Sequence, residues 1–332
     1  MTTLPSVCAL IVTYGNRAHF CRQVAQRLAQ IGVGRIIIVD NASDQPSRDA
    51  LEELRCLLPQ VVLIRNEENL GSSGGYRRAF ETALTSDDEY LFLLDDDNLP
   101  QTDCLTHLLS AYHLLEADHP DGLLLYANRG STRPTDRLAF QTGFIKAYPP
   151  NSFVTFVLWR RGLARLSRAE YVTGRYLVNF PVVRVHFGPY GGMFGRRKTF
   201  ESAGSPRSDF YLYLDDHEYA TRMDQKGIAQ FLVEAARIDD LEVSQTGTSL
   251  LSRDLSPMRL YYQIRNGSYL SQTFIRSRRA YAFNKYSFFV WEIAKAWRAW
   301  ITAPNVTLRR WRILLKAVHD GEAGNLGRKY PE

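Results

Sequence analysis

The sequence is sparing with cysteine. Four occur, Cys8, Cys21, Cys56 and Cys104, and no two share a C-x-x-C spacing. A disulfide framework is not expected, and the four read as reduced thiols of a cytosolic protein. No run of 18 apolar residues occurs, which leaves no segment suited to a membrane-spanning helix. The opening residues, MTTLPSVCALIVTY, lack a basic n-region, so a secretory signal is not expected. Neither G-x-x-x-x-G-K-[ST] nor G-x-G-x-x-G is present, which excludes a P-loop and the dinucleotide fingerprint. Internal repeats and low-complexity tracts are also missing.

What is there suits a packed α/β protein. The 332 residues suffice for one large domain, or for a domain with an appendage. An apolar fraction of 45% and an aromatic fraction of 12% fit a globular chain. Charge is unevenly spread. Residues 1–250 hold 26 Lys+Arg against 30 Asp+Glu, a net of −4, whereas residues 251–332 hold 15 against 5, a net of +10. The tail also carries four of the five tryptophans, Trp291, Trp297, Trp300 and Trp311. This shift sets an organisational boundary near residue 250.

Apolar patterning gives the order of elements. VCALIVTY (7–14), RIIIVDNAS (35–43), VVLIRNEEN (61–69) and EYLFLL (89–94) read as strands. Helical spacing fills the intervals, over the stretch after TYGNR, over SRDALEELRCLL (47–58) and after the Gly-rich turn that opens LGSSGGYRRAFETAL (70–84). Strands alternating with helices imply a mostly parallel sheet flanked by helices. In the middle of the chain GLLLYANRG and SFVTFVLWR are candidate strands, and residues 176–197 read as a strand and a Gly-rich loop. A helix follows the acidic pair of FYLYLDDHEYATRMDQKG (210–227), and the tail from about residue 255 reads mainly as helices.

Ligands of such sheets bind beyond the carboxyl ends of the strands, and TYGNR, DNAS, NLGSSGG and DDD all fall there. Asp95, Asp96 and Asp97 repel one another unless something positive sits among them. Alternate carboxylates after a strand can hold a divalent cation, which neutralises a diphosphate leaving group; a solvated acidic turn is the alternative. Asp40 and Asn41 can accept from a ribose or a base N–H, or can cap the next helix. Arg77 and Arg78 either reach a diphosphate or lie on a solvated helix face. In LDDHEY, Asp215 and Asp216 offer a general base toward an acceptor hydroxyl, with N-capping as the alternative. FNKYSFFVWEIAKAWRAWI (283–301) mixes large aromatics with Lys285, Lys295 and Arg298. That mixture suits a helix in the interface of an anionic membrane, or one packed on the main domain or in a dimer contact. No nucleic-acid-binding motif accompanies the basic tail, and no nucleic-acid partner is expected.

Taken in order, VTYGNR, VDNAS, NLGSSGGYRRAF, LFLLDDD, YGGMF and LDDHEY resemble the family 2 glycosyltransferases of GT-A fold, over roughly residues 5–250. The DDHEY form resembles bacterial galactofuranosyltransferases. The wider layout, with MRLYYQIRNGSYL (258–270), also looks like rhamnosyltransferases of polysaccharide assembly. The resemblance implies a GT-A nucleotide-sugar-binding domain over residues 1–250, followed by a basic, aromatic-rich, mainly helical region over 251–332. It implies transfer of a sugar with inversion, from a UDP-sugar first and a dTDP-sugar second, to a lipid-linked or growing surface glycan. The implied location is cytoplasmic, at the inner face of the cell membrane. Thr13, Tyr14, Arg17, Asp40 and Asn41 would then line the nucleotide pocket, and Asn69, Gly74, Gly75 and Arg78 would face the donor. Asp95 and Asp97, on either side of Asp96, match the D-x-D carboxylates that hold Mn2+ or Mg2+. Gly191 and Gly192 would border the donor sugar. Asp216 matches the catalytic base, with Asp215 contacting sugar hydroxyls. One departure stands out: Gln245 occupies the place where relatives often carry a metal-binding histidine, which implies either a weaker hold on the metal or substitution by His186 or His217. Two rivals are a sugar nucleotidyltransferase, which TYGNRAHF does not favour, and a catalytically inactive membrane-associated partner of an assembly complex.

Overall fold

The computed structural model describes residues 5–130, 133–142, 147–158, 175–177, 181–242, 250–251 and 255–330. The chain divides into two compact units. The first comprises Met1–Lys146, Tyr171–Ser208 and Asp216–Val243; the second comprises Ala147–Glu170, Asp209–Asp215 and Ser244–Glu332.

RIIIVDN illustrates how the first unit begins. Ile36 and Ile38 pack in one apolar layer and Ile37 and Val39 in the other, all of them fully buried. A strand apolar on both faces belongs inside a sheet covered by helices. The alternation runs through β1 (Val7–Thr13), α1 (Ala18–Gln30), β2 (Arg35–Asn41), α2 (Gln45–Leu57), β3 (Val61–Asn66), α3 (Gly71–Ala83) and β4 (Tyr90–Asp95). These strands are parallel in the order β3-β2-β1-β4. Helix α1 buries Cys21, Val24 and Leu28 against one side, and α3 buries Ala79 and Phe80 against the other. Each fully buried Ile, Leu or Phe contributes about 1.5–3 kcal/mol relative to exposure.

The sheet then continues with antiparallel additions. In chain order come β5 (Asn98–Pro100), α4 (Cys104–Leu115), β6 (Leu123–Asn128), α5 (Pro134–Thr142), β7 (Arg175–Leu177), β8 (Pro181–Arg184), β9 (Met193–Arg196), α6 (Arg197–Ala203), α7 (Asp215–Gln225) and β10 (Ala229–Asp240). Strand β9 inserts antiparallel between β4 and β6, and β10 lies parallel to β6. Register makes the carboxyl ends level, with Thr13 opposite Asp40, Asn41 opposite Asn66 and Val12 opposite Asp95. Four polar segments therefore share one rim.

SFVTFVLWR does not form a strand within its described part, residues 152–158. Val154 (φ 48°) and Thr155 (φ 64°) are left-handed, and Phe153 and Phe156 exchange a pair of backbone hydrogen bonds of 3.0 and 2.7 Å. The aromatic spacing serves a tight turn, with Phe153 and Phe156 both against Phe288.

The second unit is helical: α8 (Pro257–Gln272), α9 (Arg278–Lys295), α10 (Trp297–Thr302) and α11 (Pro304–Glu322). Its centre is Arg265–Asn266, both fully buried. Arg265 lies over the Tyr262 ring at 4.7 Å and donates to the Phe210 carbonyl at 2.7 Å. The Asn266 amide donates to the carbonyls of Phe210 (3.0 Å), Leu212 (3.0 Å) and Tyr213 (2.7 Å). In this loop Tyr211, Tyr213 and Leu214 are left-handed, each strained by about 1–3 kcal/mol. The buried amide offsets that strain, and the loop runs on into Asp215. Asn266→Ala strands these carbonyls and is expected to lower stability by about 1–3 kcal/mol. A urea unfolding curve checks this, and a midpoint equal to wild type would contradict it.

Candidate active site

At the tip of β4 the backbone turns through Asp95, Asp96 and Asp97. Asp96 is almost wholly buried, accepting from Thr13 Oγ1 at 2.7 Å and from Arg17 Nε at 2.9 Å. Arg17, at the start of α1, reaches Asp97 Oδ2 at 3.2 Å through the same guanidinium and pairs with Glu242 through its other arm. Burial would lower the affinity of Arg17 for its proton; the Asp96 carboxylate outweighs it and holds Arg17 above its ordinary range. Burial raises Asp96. Burial, followed by Asp95 and Asp96, pushes Asp97 up to about 6. Asp95 is the most open of the three; it accepts from Tyr76 Oη at 3.1 Å and faces Arg129 Nη1 at 3.5 Å.

Several members of this cluster were not singled out by sequence reasoning. Arg129 follows β6 directly, is almost fully buried, and bridges Asp95 to Asp240 at the end of β10. Asn98 accepts from the Asp95 backbone N–H at 3.1 Å and donates to Asp97 (3.1 Å) and Asp240 (2.9 Å). The available signal was the rule already applied to the first four strands, because NRG and IDD also close strands.

Gly191 and Gly192 enter the same rim just before β9. A Cβ on Gly191 would fall inside Asn98 Oδ1 and lie 2.5 Å from Arg129 Nη1 and 2.7 Å from Asp95 Oδ2. Gly192, at φ +98°, donates to the Leu93 carbonyl at 2.8 Å.

Other site residues are placed differently from a simple pocket lining. Asn41 is saturated: it donates to Asn69 Oδ1 (3.0 Å) and the Gly71 carbonyl (2.9 Å), and accepts from Asn66 (3.0 Å) and the Leu70 N–H (3.0 Å). Asn41 and Asn69 thus clip the start of α3 to the ends of β2 and β3. Gly74 and Gly75 serve packing, since a Cβ would meet Leu70 Cβ and Val12 Cγ1, each at 2.5 Å. Arg78 is exposed on α3, and Arg77 pairs with Glu81. Asp40 accepts from the Ser43 N–H at 2.8 Å, while its buried Oδ2 has no hydrogen-bond partner. Tyr14 is exposed, with Arg17 against its ring at 5.5 Å.

The acidic pair of LDDHEY opens α7. Asp215 is buried, and Asp216 accepts from the His217 N–H at 2.8 Å. Arg133 is partly exposed, and burial and then Arg129 lower its proton affinity. His186 is held by Asp224 at 2.8 Å, and His217 lies against Phe187 at 4.5 Å. Gln245 lies outside the described residues. Among the described residues no group of three or more His, Cys, Asp or Glu forms a self-contained metal site. Two carboxylates of unequal burial at a strand end still fit a hard cation, one that completes its shell with water and phosphate oxygens.

The level strand ends, the acidic trio and the glycine-lined rim define a GT-A glycosyltransferase fold. A family model for glycosyl transferase family 2 matches residues 8–180, and the chain belongs to that family. No curated protein matches the sequence. Among solved structures the chain is similar to GalNAc-T7 crystallised with UDP, GalNAc and Mn2+, at 13% identity and a TM-score of 0.52. That match covers 79% of this chain and only 48% of GalNAc-T7. The mannosyltransferase PcManGT from Pyrobaculum calidifontis, in complex with GDP-Man and Mn2+, is similar at 15% identity and TM-score 0.50, over 96% of this chain and 88% of its own. Residues 1–349 of TarS from S. aureus match at 13% identity and TM-score 0.51, covering 95% and 80%.

Gly191→Ala tests the crowded rim. The added methyl is expected to displace Asp95, Asn98 and Arg129, lowering turnover at least tenfold while the circular dichroism spectrum stays that of wild type. Full activity in this variant would contradict the geometry.

Proposed function

We propose that the enzyme transfers galactofuranose from UDP-galactofuranose, with inversion, to a hydroxyl of a lipid-linked or growing surface glycan. The observation that carries this reading is the acidic trio at the tip of β4, where Arg17 fixes Asp96 and Asp97 while Asp95 stands beside Gly191 on the rim. In this reading the donor side and the base side share one space. Choice of sugar rests on the DDHEY sequence; dTDP-rhamnose is the second choice. The acceptor class makes the enzyme a peripheral protein of the membrane's inner face.

In this reading Asp40 Oδ2, buried, without a hydrogen bond and 3.9 Å from Arg65 Nε, accepts an N–H of the nucleobase, and Tyr14 lies against the nucleoside. Asp96 does not hold the metal; it fixes Arg17, which in turn orients Asp97. A divalent cation, Mn2+ or Mg2+, held by Asp95 and Asp97, supplies charge neutralisation of the diphosphate when bound. Arg129, 3.5 Å from Asp95 Oδ2, keeps that carboxylate aimed. Gly191 and Gly192 leave room for the donor sugar, and Asp215 contacts its hydroxyls. Asp216 takes the proton of the acceptor hydroxyl as its oxygen bonds to the anomeric carbon. The bond from that carbon to the phosphate oxygen breaks, and its electron pair leaves with UDP.

Asp216→Asn is expected to lower transfer by ~10²–10⁴-fold while UDP still binds; a wild-type rate would sink the assignment. EDTA is expected to abolish turnover and Mn2+ to restore it, read by donor hydrolysis, and indifference to chelation would remove the metal from the mechanism. Across a panel of nucleotide sugars, UDP-galactofuranose should be hydrolysed fastest. Fastest hydrolysis of dTDP-rhamnose would move the donor to the second choice.

A further inference from the structure

Helix α9 is buried along one face, through Tyr281, Asn284, Phe288 and Glu292. Its opposite face is apolar and exposed. Phe283, Tyr286, Val290 and Ile293 form a stripe, and Trp297 and Ile301 of α10, next in the chain, are exposed as well. Steps of three or four residues keep the four of α9 on one line along that helix, and Trp297 and Ile301 share a face of α10. Their exposures run from 42% to 72%. Soluble surfaces scatter such residues singly, whereas a continuous line of them marks a contact face.

The surrounding charge selects the occupant. Between residues 255 and 330 the carboxylates are Glu292, Asp320 and Glu322, and all three are engaged within the unit. Glu292 pairs with Lys295 at 3.1 Å, Asp320 accepts from Tyr261 at 2.6 Å, and Glu322 takes Lys285 at 2.8 Å. Over the same stretch ten lysines and arginines are exposed, among them Arg276, Arg279, Arg298, Arg309 and Arg312. A second copy of this chain would bring like charge against like charge. Anionic headgroups above an acyl layer match both the cations and the stripe, with Trp297 and Tyr286 of the kind that prefer the interface. None of the described helices is long and apolar enough to cross a membrane, so the contact is one of lying on the surface.

We infer that the α9–α10 face seats on an anionic lipid bilayer as an interfacial anchor. The inference deepens the proposed reaction by naming the surface that brings the enzyme to a lipid-linked acceptor, and its purpose rests on that reading. The test is flotation of the full chain with vesicles of phosphatidylcholine alone, or of phosphatidylcholine with phosphatidylglycerol, with donor hydrolysis measured separately without vesicles. Hydrolysis reports on the reaction and flotation on the anchor, so either can fail alone. Roughly tenfold more protein should float with the anionic vesicles, an advantage that raised salt removes. Val290→Glu/Ile293→Glu should abolish flotation at unchanged melting temperature and hydrolysis, and Arg279→Glu/Arg298→Glu should lose the preference for anionic lipid. Equal binding to both vesicle types, or wild-type flotation of either double variant, would overturn the inference. So would a dimer, broken by Val290→Glu/Ile293→Glu, in protein that binds neither vesicle.

Discussion

The pairing of Arg17 with Asp96 is the interaction on which the rest depends. Three consecutive carboxylates at the tip of a buried strand would repel one another and drive the turn toward solvent. A guanidinium against Asp96, shared with Asp97 and supported by Thr13, holds the turn on the rim. Removing one partner of such a buried pair costs about 3–5 kcal/mol, because the other charge is left uncompensated. Arg129 performs the same service for Asp95 from the opposite flank and is itself secured by Asp240. Burial first, and then Asp95 and Asp96, still push Asp97 up to about 6. That crowding of negative charge suits the cation and diphosphate of the proposed reaction.

The scaffold exists to keep this charge cluster rigid. Gly75 lets α3 sit directly on Val12 of β1, and the Asn41–Asn69 clip fixes where that helix begins. Gly191 leaves no space to spare between β9 and the trio. In the second unit, Arg265 and Asn266 hold a strained loop whose last residue, Asp215, precedes Asp216 in the chain.

Much of this was legible in the sequence because strand and rim obey local rules. RIIIVDN declares a doubly covered strand, and polar clusters after each of the first four strands mark the ligand edge. Arg129 and Asp240 went unremarked although they close strands of the same sheet; β6 and β10 are joined to β4 through β9, an antiparallel insertion with no periodicity of its own. SFVTFVLWR misled because aromatic alternation also describes a tight turn packed on Phe288, and left-handed valine and threonine leave no trace in composition. The glycines of NLGSSGGYRRAF suggested backbone approach to a ligand, whereas Gly74 and Gly75 accommodate Leu70 and Val12. Pattern cannot tell which neighbour a missing side chain makes room for.

The account turns on whether a cation takes the place of a proton among the three aspartates. Calorimetry of Mn2+ added to protein saturated with a UDP-sugar, at pH 6 in buffers of differing ionisation enthalpy, reads this directly. Release of about half a proton per site is expected, since Asp97 titrates near 6, and the release should vanish in Asp97→Asn. Binding with no proton release, or the same release from the variant, would contradict it.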